Sequence, residues 1–137
     1  MTYLLDTNAC IALINGTSDA VRSRFDRASR TGAGIFVSSI AIYELWYGVY
    51  KSARGEFNMK RVRSFLAGPI SLIPFEPDDA RSAGQIRAAL EASGKPIGAY
   101  DILIAGQALS RKLVLVTASI SEFSRVKNLE WEDWARP

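Results

Sequence analysis

The sequence predicts an α/β fold with three layers, in which helices cover both faces of a mainly parallel sheet of four to five strands. Short apolar runs typical of fully buried strands alternate along the chain with longer segments whose apolar residues recur at helical spacing. Parallel strands need crossover connections, and these are right-handed, so the alternation favours helices on both sides of the sheet. The chain has 137 residues and no internal repeat or linker, so we expect one domain over residues 1–137.

The first half of the chain is predicted to hold two strands and four helices. Asn15-Gly16 breaks the first helix, Ser38 and Ser39 are candidate caps of the third, and Gly68-Pro69 closes the fourth. Each strand leads into a helix, as expected for parallel β–α units. In chain order the elements are a strand at 3–5, helices at 9–14 and 20–30, a strand at 35–37, and helices at 40–52 and 57–66.

The second half of the chain continues the same alternation. Pro74 marks its apolar run as an edge or an end, because proline donates no hydrogen bond to a neighbouring strand. Pro77 and the aspartates after it are typical of the first turn of a helix. In order, the elements are a strand at 72–75, helices at 77–92 and 100–111, a buried strand at 113–116, a short helix at 121–123 and an edge strand at 129–131.

The formal net charge is +3, but the charges are unevenly distributed. Between residues 20 and 63 there are nine basic residues and only three acidic ones. Two interpretations stay open: a solvated helical surface, or a track for a polyanion, because basic clusters supply the sequence-independent part of nucleic-acid affinity. The basic residues of this stretch are Arg22, Arg24, Arg27, Arg30, Lys51, Arg54, Lys60, Arg61 and Arg63.

The sequence contains no histidine and a single cysteine, Cys10. This excludes a histidine general base, a Ser-His-Asp or Cys-His nucleophilic site, and zinc held by histidines or by four cysteines. One cysteine forms no internal disulfide, the N-terminus lacks the features of a signal peptide, and the apolar runs are too short to span a bilayer. We therefore expect a cytoplasmic protein without a membrane partner, whose hydrolytic chemistry, if it has any, depends on carboxylates.

Three carboxylates are candidates for that chemistry. Asp6 follows the first predicted strand, at the edge where parallel sheets bind ligands, although it is also a natural helix cap. Glu44 lies inside an apolar helix, and Asp101 opens another, where it also favours the helix dipole. Acids that converge repel one another unless a cation neutralises them, and magnesium suits such a site because it binds carboxylates and phosphate oxygens together. The three residues favour a metal-dependent phosphodiesterase, with helix caps as the alternative.

Four segments of the sequence, in order and at the usual separations, carry a resemblance to a known family. They are residues 4–8 (LLDTN), 38–48 (SSIAIYELWYG), 97–105 (IGAYDILIA), and 115–117 (LVT) followed by 122–126 (EFSRV). Together they resemble the PIN domains, and within these the bacterial VapC toxins. The resemblance implies a PIN-like fold and a magnesium- or manganese-dependent endoribonuclease that cuts tRNA or rRNA. It also implies a homodimer, a cognate VapB-like antitoxin that blocks the site, and catalytic metal ligands at Asp6, Glu44 and Asp101.

The segment after the last buried strand departs from the family pattern. Relatives often carry asparagine or aspartate there, whereas this chain reads Thr117-Ala118-Ser119. Glu122 is therefore our candidate for a fourth metal ligand, and the alternatives are Ser119 acting through water or no fourth ligand. The departure also leaves open a catalytically decayed PIN domain that binds RNA or a partner. A phosphoryl-transfer domain is disfavoured, because no second aspartate closely follows Asp6.

Aromatic residues cluster around Glu44 in the sequence. Tyr43, Tyr47 and Tyr50 recur at helical spacing, and Trp46 lies among them. For Trp46, Tyr47 and Tyr50 a packed core is our first expectation, and the alternative is a groove that receives an amphipathic segment of the antitoxin.

Overall fold

Five strands of residues 1–136, the part of the chain that this computed structural model describes, form one sheet. They are β1 (Thr2–Leu5), β2 (Gly34–Ser38), β3 (Ser71–Ile73), β4 (Val114–Val116) and β5 (Trp131–Glu132). The strands lie in the order β3-β2-β1-β4-β5, and all four neighbouring pairs are parallel. The predicted α/β class and the mainly parallel sheet are confirmed.

Helices flank this sheet and form the crossovers between its strands. In the described residues they are α1 (Thr7–Asn15), α2 (Asp19–Arg30), α3 (Ser39–Lys51), α4 (Gly55–Leu66), α5 (Pro77–Ala92), α6 (Ala99–Arg111) and α7 (Ile120–Phe123). The first residue of each of these helices is within three residues of the start predicted from the sequence. None of the helices in residues 1–136 combines the length and apolar character needed to cross a bilayer.

The core is centred on β1 and β4, the two strands with the most completely buried side chains. Leu4, Leu5 and Leu115 have no exposed surface, as expected for strands covered on both faces. Trp134, beyond β5, is also buried and contacts the ring of Tyr3 edge to face. The C-terminal segment therefore closes the core beside the central strands.

Two strands, β3 and β5, differ from the sequence prediction by two residues at one end, and the other three differ by no more than one residue at each end. The strand predicted at 72–75 ends at Ile73, because Pro74 donates no ladder hydrogen bond and Glu76 already caps α5 in a reciprocal capping box with Asp79. The edge strand predicted at 129–131 is instead Trp131–Glu132. Its position is set by backbone hydrogen bonds with β4, from Leu115 and Thr117 to the carbonyls of Glu130 and Glu132.

The prediction that the aromatic residues near Glu44 belong to the core was wrong for Tyr47 and Tyr50. Tyr43, Tyr47 and Tyr50 are all exposed, and Trp46 is only partly buried. The helix turns its smaller apolar residues inward. The buried residues of α3 are Ala41, Leu45 and Val49, at four-residue spacing on the opposite face. Both faces of α3 have helical periodicity, so spacing alone did not distinguish them.

An ion pair with a buried carboxylate ties the first turn of α5 to the last turn of α6. The Asp79 side chain is 1% exposed and lies 3.0 Å from an Arg111 nitrogen. Arg111 also donates to the carbonyl of Pro74 at 2.9 Å, as does the amide of Gln107. This network satisfies a buried carboxylate with a charged partner and fixes the segment between β3 and α5.

Close packing of α5 on α6 depends on Gly106, which gives our first prediction. A Cβ at this position would lie 2.6 Å from the Ala83 nitrogen and 2.7 Å from its Cα. Gly106→Ala must therefore separate the two helices, and we expect it to lower the free energy of unfolding by about 1–3 kcal/mol in urea titrations.

Gly84→Ala is the matched control, because Gly84 lies in α5 and a Cβ there meets nothing within 4 Å. It should raise the free energy of unfolding by about 0.5–1 kcal/mol, as alanine is the better helix former. Equal changes in both variants would contradict the packing argument.

Candidate active site

The carboxyl edge of the sheet has a crevice beyond β1. The chain adds β2 and β3 on one side of β1, then crosses over and adds β4 and β5 on the other side. Such a switch in strand order leaves the carboxyl end of the central strand uncovered, and ligands of open parallel sheets bind there. Asp6 directly follows β1 and Thr117 directly follows β4, so both lie at this crevice.

Asp6 is an almost completely buried carboxylate at the start of α1. Its side chain accepts a hydrogen bond from the Ala9 amide at 2.8 Å, so it caps the helix as one sequence interpretation proposed. Burial raises its pKa above the ordinary value, while hydrogen bonds from Thr117 and Ala9 act in the opposite direction. The negative charges of Glu44 and Asp133 raise the pKa further. The residue therefore both caps the helix and adds charge to the crevice.

Glu44 projects from α3 toward the start of α1. Its Oε1 accepts a hydrogen bond of 2.6 Å from the Thr7 hydroxyl, in a partly buried position. This bond orients the carboxylate beside Asp6, the residue before Thr7. None of the ion pairs among residues 1–136 involves Glu44. The Glu44 carboxylate, in an otherwise apolar helix, is therefore hydrogen-bonded to a hydroxyl and is not paired with a cationic side chain.

Asp101, in the first turn of α6, and Glu122, in α7, are a close pair of acidic side chains. Partial burial, a hydrogen bond with Glu122 and the charges of Glu122, Asp6 and Glu44 together raise the pKa of Asp101 to about 6. Two carboxyl groups form a hydrogen bond only when they share a proton. Glu122, singled out because Ser119 lacks a charge, thus lies against Asp101.

The four acids lie together at one edge of the sheet without forming a closed ligand cage. Asp6, Glu44 and Glu122 all lie near enough to Asp101 for their charges to raise its pKa. No group of three or more acidic or cysteine side chains within residues 1–136 is close enough to hold a metal ion. The donors are all oxygens, which suit a hard divalent cation, and their mutual repulsion is the force that such a cation would relieve.

Sequence reasoning missed Asp133 and the roles of Thr7 and Thr117. Asp133 follows β5 and adds to the negative charge near Asp6, while its own carboxylate pairs with Arg136 at 3.3 Å. Its position after an edge strand was the available signal, but the predicted strand ended one residue too early. Ser38 caps α3 through the Ile40 amide, and Ser119 donates its amide to Thr117, so neither serine is a charged member of the site.

A comparison with known families identifies the fold. The model of the PIN domain family matches residues 3–129. The chain therefore belongs to the PIN-domain family.

Within that family the chain groups with the VapC ribonucleases. It is 39% identical over 135 residues to the tRNA(fMet)-specific endonuclease VapC of Salmonella typhimurium, covering 98% of each protein. It is 37% identical over 134 residues to ribonuclease VapC2 of Rickettsia felis, again covering 98% of each.

Solved structures of the same group have the same fold. The VapBC2 complex of Rickettsia felis bound to a promoter DNA fragment matches with a TM-score of 0.91 and 36% identity, over 98% of this chain and 99% of that one. The DNA-bound VapBC complex of Salmonella typhimurium matches with a TM-score of 0.89 and 38% identity, over 98% of both chains. The sequence-based identification of the family is confirmed.

The raised pKa of Asp101 gives our second prediction. A carboxyl group whose pKa is higher in the folded protein stabilises the fold below its unfolded pKa, and this contribution is lost as pH rises through the folded value. The pKa of Asp101 rises from 3.8 to about 6, so metal-free protein should lose stability between those values. Because solvent screens this half-buried group, we expect a loss of about 1–2 kcal/mol.

Thermal melts in EDTA across this pH range measure the effect. Asp101→Asn should remove this part of the pH dependence and be the more stable protein at neutral pH. Asp78→Asn is the control, since Asp78 is an exposed first-turn acid of α5 and should leave the profile unchanged. Parallel profiles for wild type and Asp101→Asn would refute the coupling.

Proposed function

We propose that this chain is a VapC-type endoribonuclease toxin that hydrolyses a phosphodiester bond in tRNA or rRNA and so inhibits translation and growth. The observation that carries the proposal is the group of four interacting carboxylates, Asp6, Glu44, Asp101 and Glu122, at the carboxyl edge of a PIN-domain sheet. Identities of 37–39% to curated VapC ribonucleases over nearly the whole chain support it.

Magnesium, or manganese in its place, is the proposed cofactor. Asp6, Glu44 and Asp101 would hold it, and Glu122 is the fourth candidate ligand. Their donor chemistry fits this group, because carboxylate oxygens are the hard ligands that magnesium and manganese bind. When bound, the metal stabilises charge on the phosphate and makes water a better nucleophile. Attack by water, and not by the ribose 2′-hydroxyl, leaves 5′-phosphate and 3′-hydroxyl ends.

Three polar contacts within this chain prepare the site. The Thr7 hydroxyl holds Glu44 in position, and Thr117 with the Ala9 amide holds Asp6. Burial and the neighbouring acids raise the pKa of Asp101 to about 6. A cation would bind its deprotonated form, so metal affinity should rise with pH as Asp101 loses its proton.

The proposed substrate and partner follow from the relatives and from charge. A relative from Salmonella typhimurium is named for cleavage of tRNA(fMet), so initiator tRNA is the first RNA to test. Exposed basic residues of α2 and α4, such as Arg27 and Lys60, provide the electrostatic attraction that RNA backbones need. Related structures are VapBC complexes, and we propose a VapB-like antitoxin as the cognate inhibitor. Three expectations from the sequence stay predictions. They are a homodimer, a single domain over residues 1–137, and a cytoplasmic location, which was expected from the single Cys10.

Our third prediction concerns cleavage. Asp6→Asn, Glu44→Gln and Asp101→Asn should each lower the rate of RNA cleavage at least about 100-fold, because each removes a carboxylate from a site worth several kcal/mol of transition-state stabilisation. The assay uses antitoxin-free protein and initiator tRNA, in magnesium and in EDTA, with end-group analysis of the products.

Glu56→Gln is the control, because Glu56 is an exposed first-turn acid of α4 and should leave the rate unchanged. Cleavage that survives EDTA, or products with cyclic-phosphate ends, would refute the mechanism. RNA binding without any cleavage would instead favour the alternative function, a decayed PIN domain that binds RNA or a partner.

Our fourth prediction separates metal binding from activity. Magnesium at a hundredfold excess over its dissociation constant should raise the free energy of unfolding of the wild type by about 2.7 kcal/mol. Glu122→Gln should shift this titration to about tenfold higher magnesium and change the cleavage rate less at saturation. Superimposable titrations of the two proteins would show that Glu122 takes no part in metal binding.

A further inference from the structure

A cavity of about 460 Å³ lies beside Glu44 and is lined mainly by exposed aromatic side chains. Tyr43 and Tyr47 of α3 and Tyr100 of α6 are 51%, 57% and 44% exposed, although tyrosines usually bury most of their ring. Asn8, an exposed amide of α1, lines the same cavity. Apolar faces, an amide and a carboxylate of the candidate active site therefore share one concave surface.

The aromatic surface is held in place before any ligand binds. The hydroxyls of Tyr43 and Tyr100 lie 3.1 Å apart and form a hydrogen bond. Their ring centroids are 5.5 Å apart at an interplanar angle of 57°, a geometry that fixes both rings while leaving their outer faces exposed. Two tyrosines from different helices thus form a rigid wall, and Tyr47, one turn after Tyr43, extends it.

The charges around the cavity favour a ligand that has both a flat ring and a phosphate. The ammonium of Lys51 lies 5.6 Å from the centre of the Tyr47 ring, so a cation stands beside the aromatic surface. An apolar protein segment seated here would cover Glu44 and bury its charge, which is unfavourable unless that segment also supplies a cation. A nucleotide stacks its base on the rings and leaves its phosphate to the cation and to the carboxylate site.

We propose that Tyr47 and the Tyr43–Tyr100 pair stack an unpaired nucleobase of the RNA next to the phosphate that is cut. This inference rests on the proposed function and narrows its substrate class to RNA that is single-stranded at the cut. A base within an A-form helix is stacked on its neighbours and presents no free face, whereas a base in a loop is free to stack on an aromatic side chain.

Binding measurements in EDTA test this inference without requiring any cleavage. The probes are a fluorescein-labelled twelve-nucleotide oligoadenylate and a labelled abasic ribose-phosphate chain of equal length and charge. Wild type should bind the oligoadenylate at least about fivefold more tightly than the abasic chain, and Tyr47→Ala should lose about 5- to 150-fold in oligoadenylate affinity. The same variant should bind the abasic chain as the wild type does, because the charges are unchanged.

Two variants serve as controls. Tyr47→Phe keeps the ring and should keep the preference for bases. Tyr50→Ala removes a tyrosine of the same helix that is 75% exposed but does not line the cavity, and it should leave both affinities unchanged. Size-exclusion chromatography with light scattering on every variant reports the oligomeric state.

Several outcomes would overturn the inference. One is equal oligoadenylate affinity in wild type and a folded Tyr47→Ala variant. Another is a Tyr47→Ala variant that loses only self-association or only antitoxin affinity, since the rings would then belong to a protein interface. If the Tyr47→Ala variant cuts RNA and still prefers bases as the wild type does, the stacking proposal is refuted and the proposed nuclease function stands. The opposite result is also distinguishable. If the base preference depends on Tyr47 but the wild type cuts no RNA, the stacking proposal is supported and only the proposed nuclease function is refuted.

Discussion

The nearly complete burial of the Asp6 carboxylate at the end of the central strand is the constraint on which the rest of the site depends. A carboxylate in this position is unfavourable unless it is hydrogen-bonded or neutralised. The Ala9 amide and Thr117 supply hydrogen bonds, whereas Glu44 and Asp133 add like charge. The balance leaves the pKa of Asp6 raised, and a divalent cation, as in the proposed function, would relieve the repulsion at this edge.

The parallel sheet brings the remaining acids to Asp6 from distant parts of the sequence. Every crossover of a parallel sheet leaves from the same edge, so the segments after β1, β2 and β4 all begin near one another. Glu44 comes from the second turn of α3, and Glu122 from α7. Asp101 enters from the first turn of α6, where it pairs with Glu122. Four charges thus converge although no two are neighbours in the chain.

The fold tolerates this repulsion because strong packing lies elsewhere. At one end of α5, the buried Asp79 is paired with Arg111, and in its middle Ala83 packs directly against Gly106. These contacts involve no residue of the carboxylate group. Near the candidate active site, by contrast, Tyr43, Tyr47 and Tyr100 are exposed. The packing contacts that stabilise the fold and the surface proposed to bind a ligand are therefore in different parts of the molecule. The proposed nuclease therefore resembles other enzymes in which a strained site is supported by a well-packed scaffold.

The sequence alone determined the class of fold, because the alternation of buried strands and helices permits few topologies. It singled out Asp6, Glu44 and Asp101 as candidate ligands, although a helix cap or the helix dipole also explained Asp6 and Asp101, and only Glu44 lay where a solvated charge is unexpected. The departure at Ser119 made Glu122 one candidate for a fourth ligand, and the structure places it against Asp101. Only the tertiary structure decided which face of α3 is buried, because Ala41, Leu45 and Val49 repeat with nearly the same period as the tyrosines.

The Thr7–Glu44 bond, the charge of Asp133 beside Asp6 and the register of β5 were likewise decided by the tertiary structure. Each depends on contacts between residues far apart in the chain. Local spacing determines which side chains share a face of one helix or strand, but not which distant side chain that face will meet.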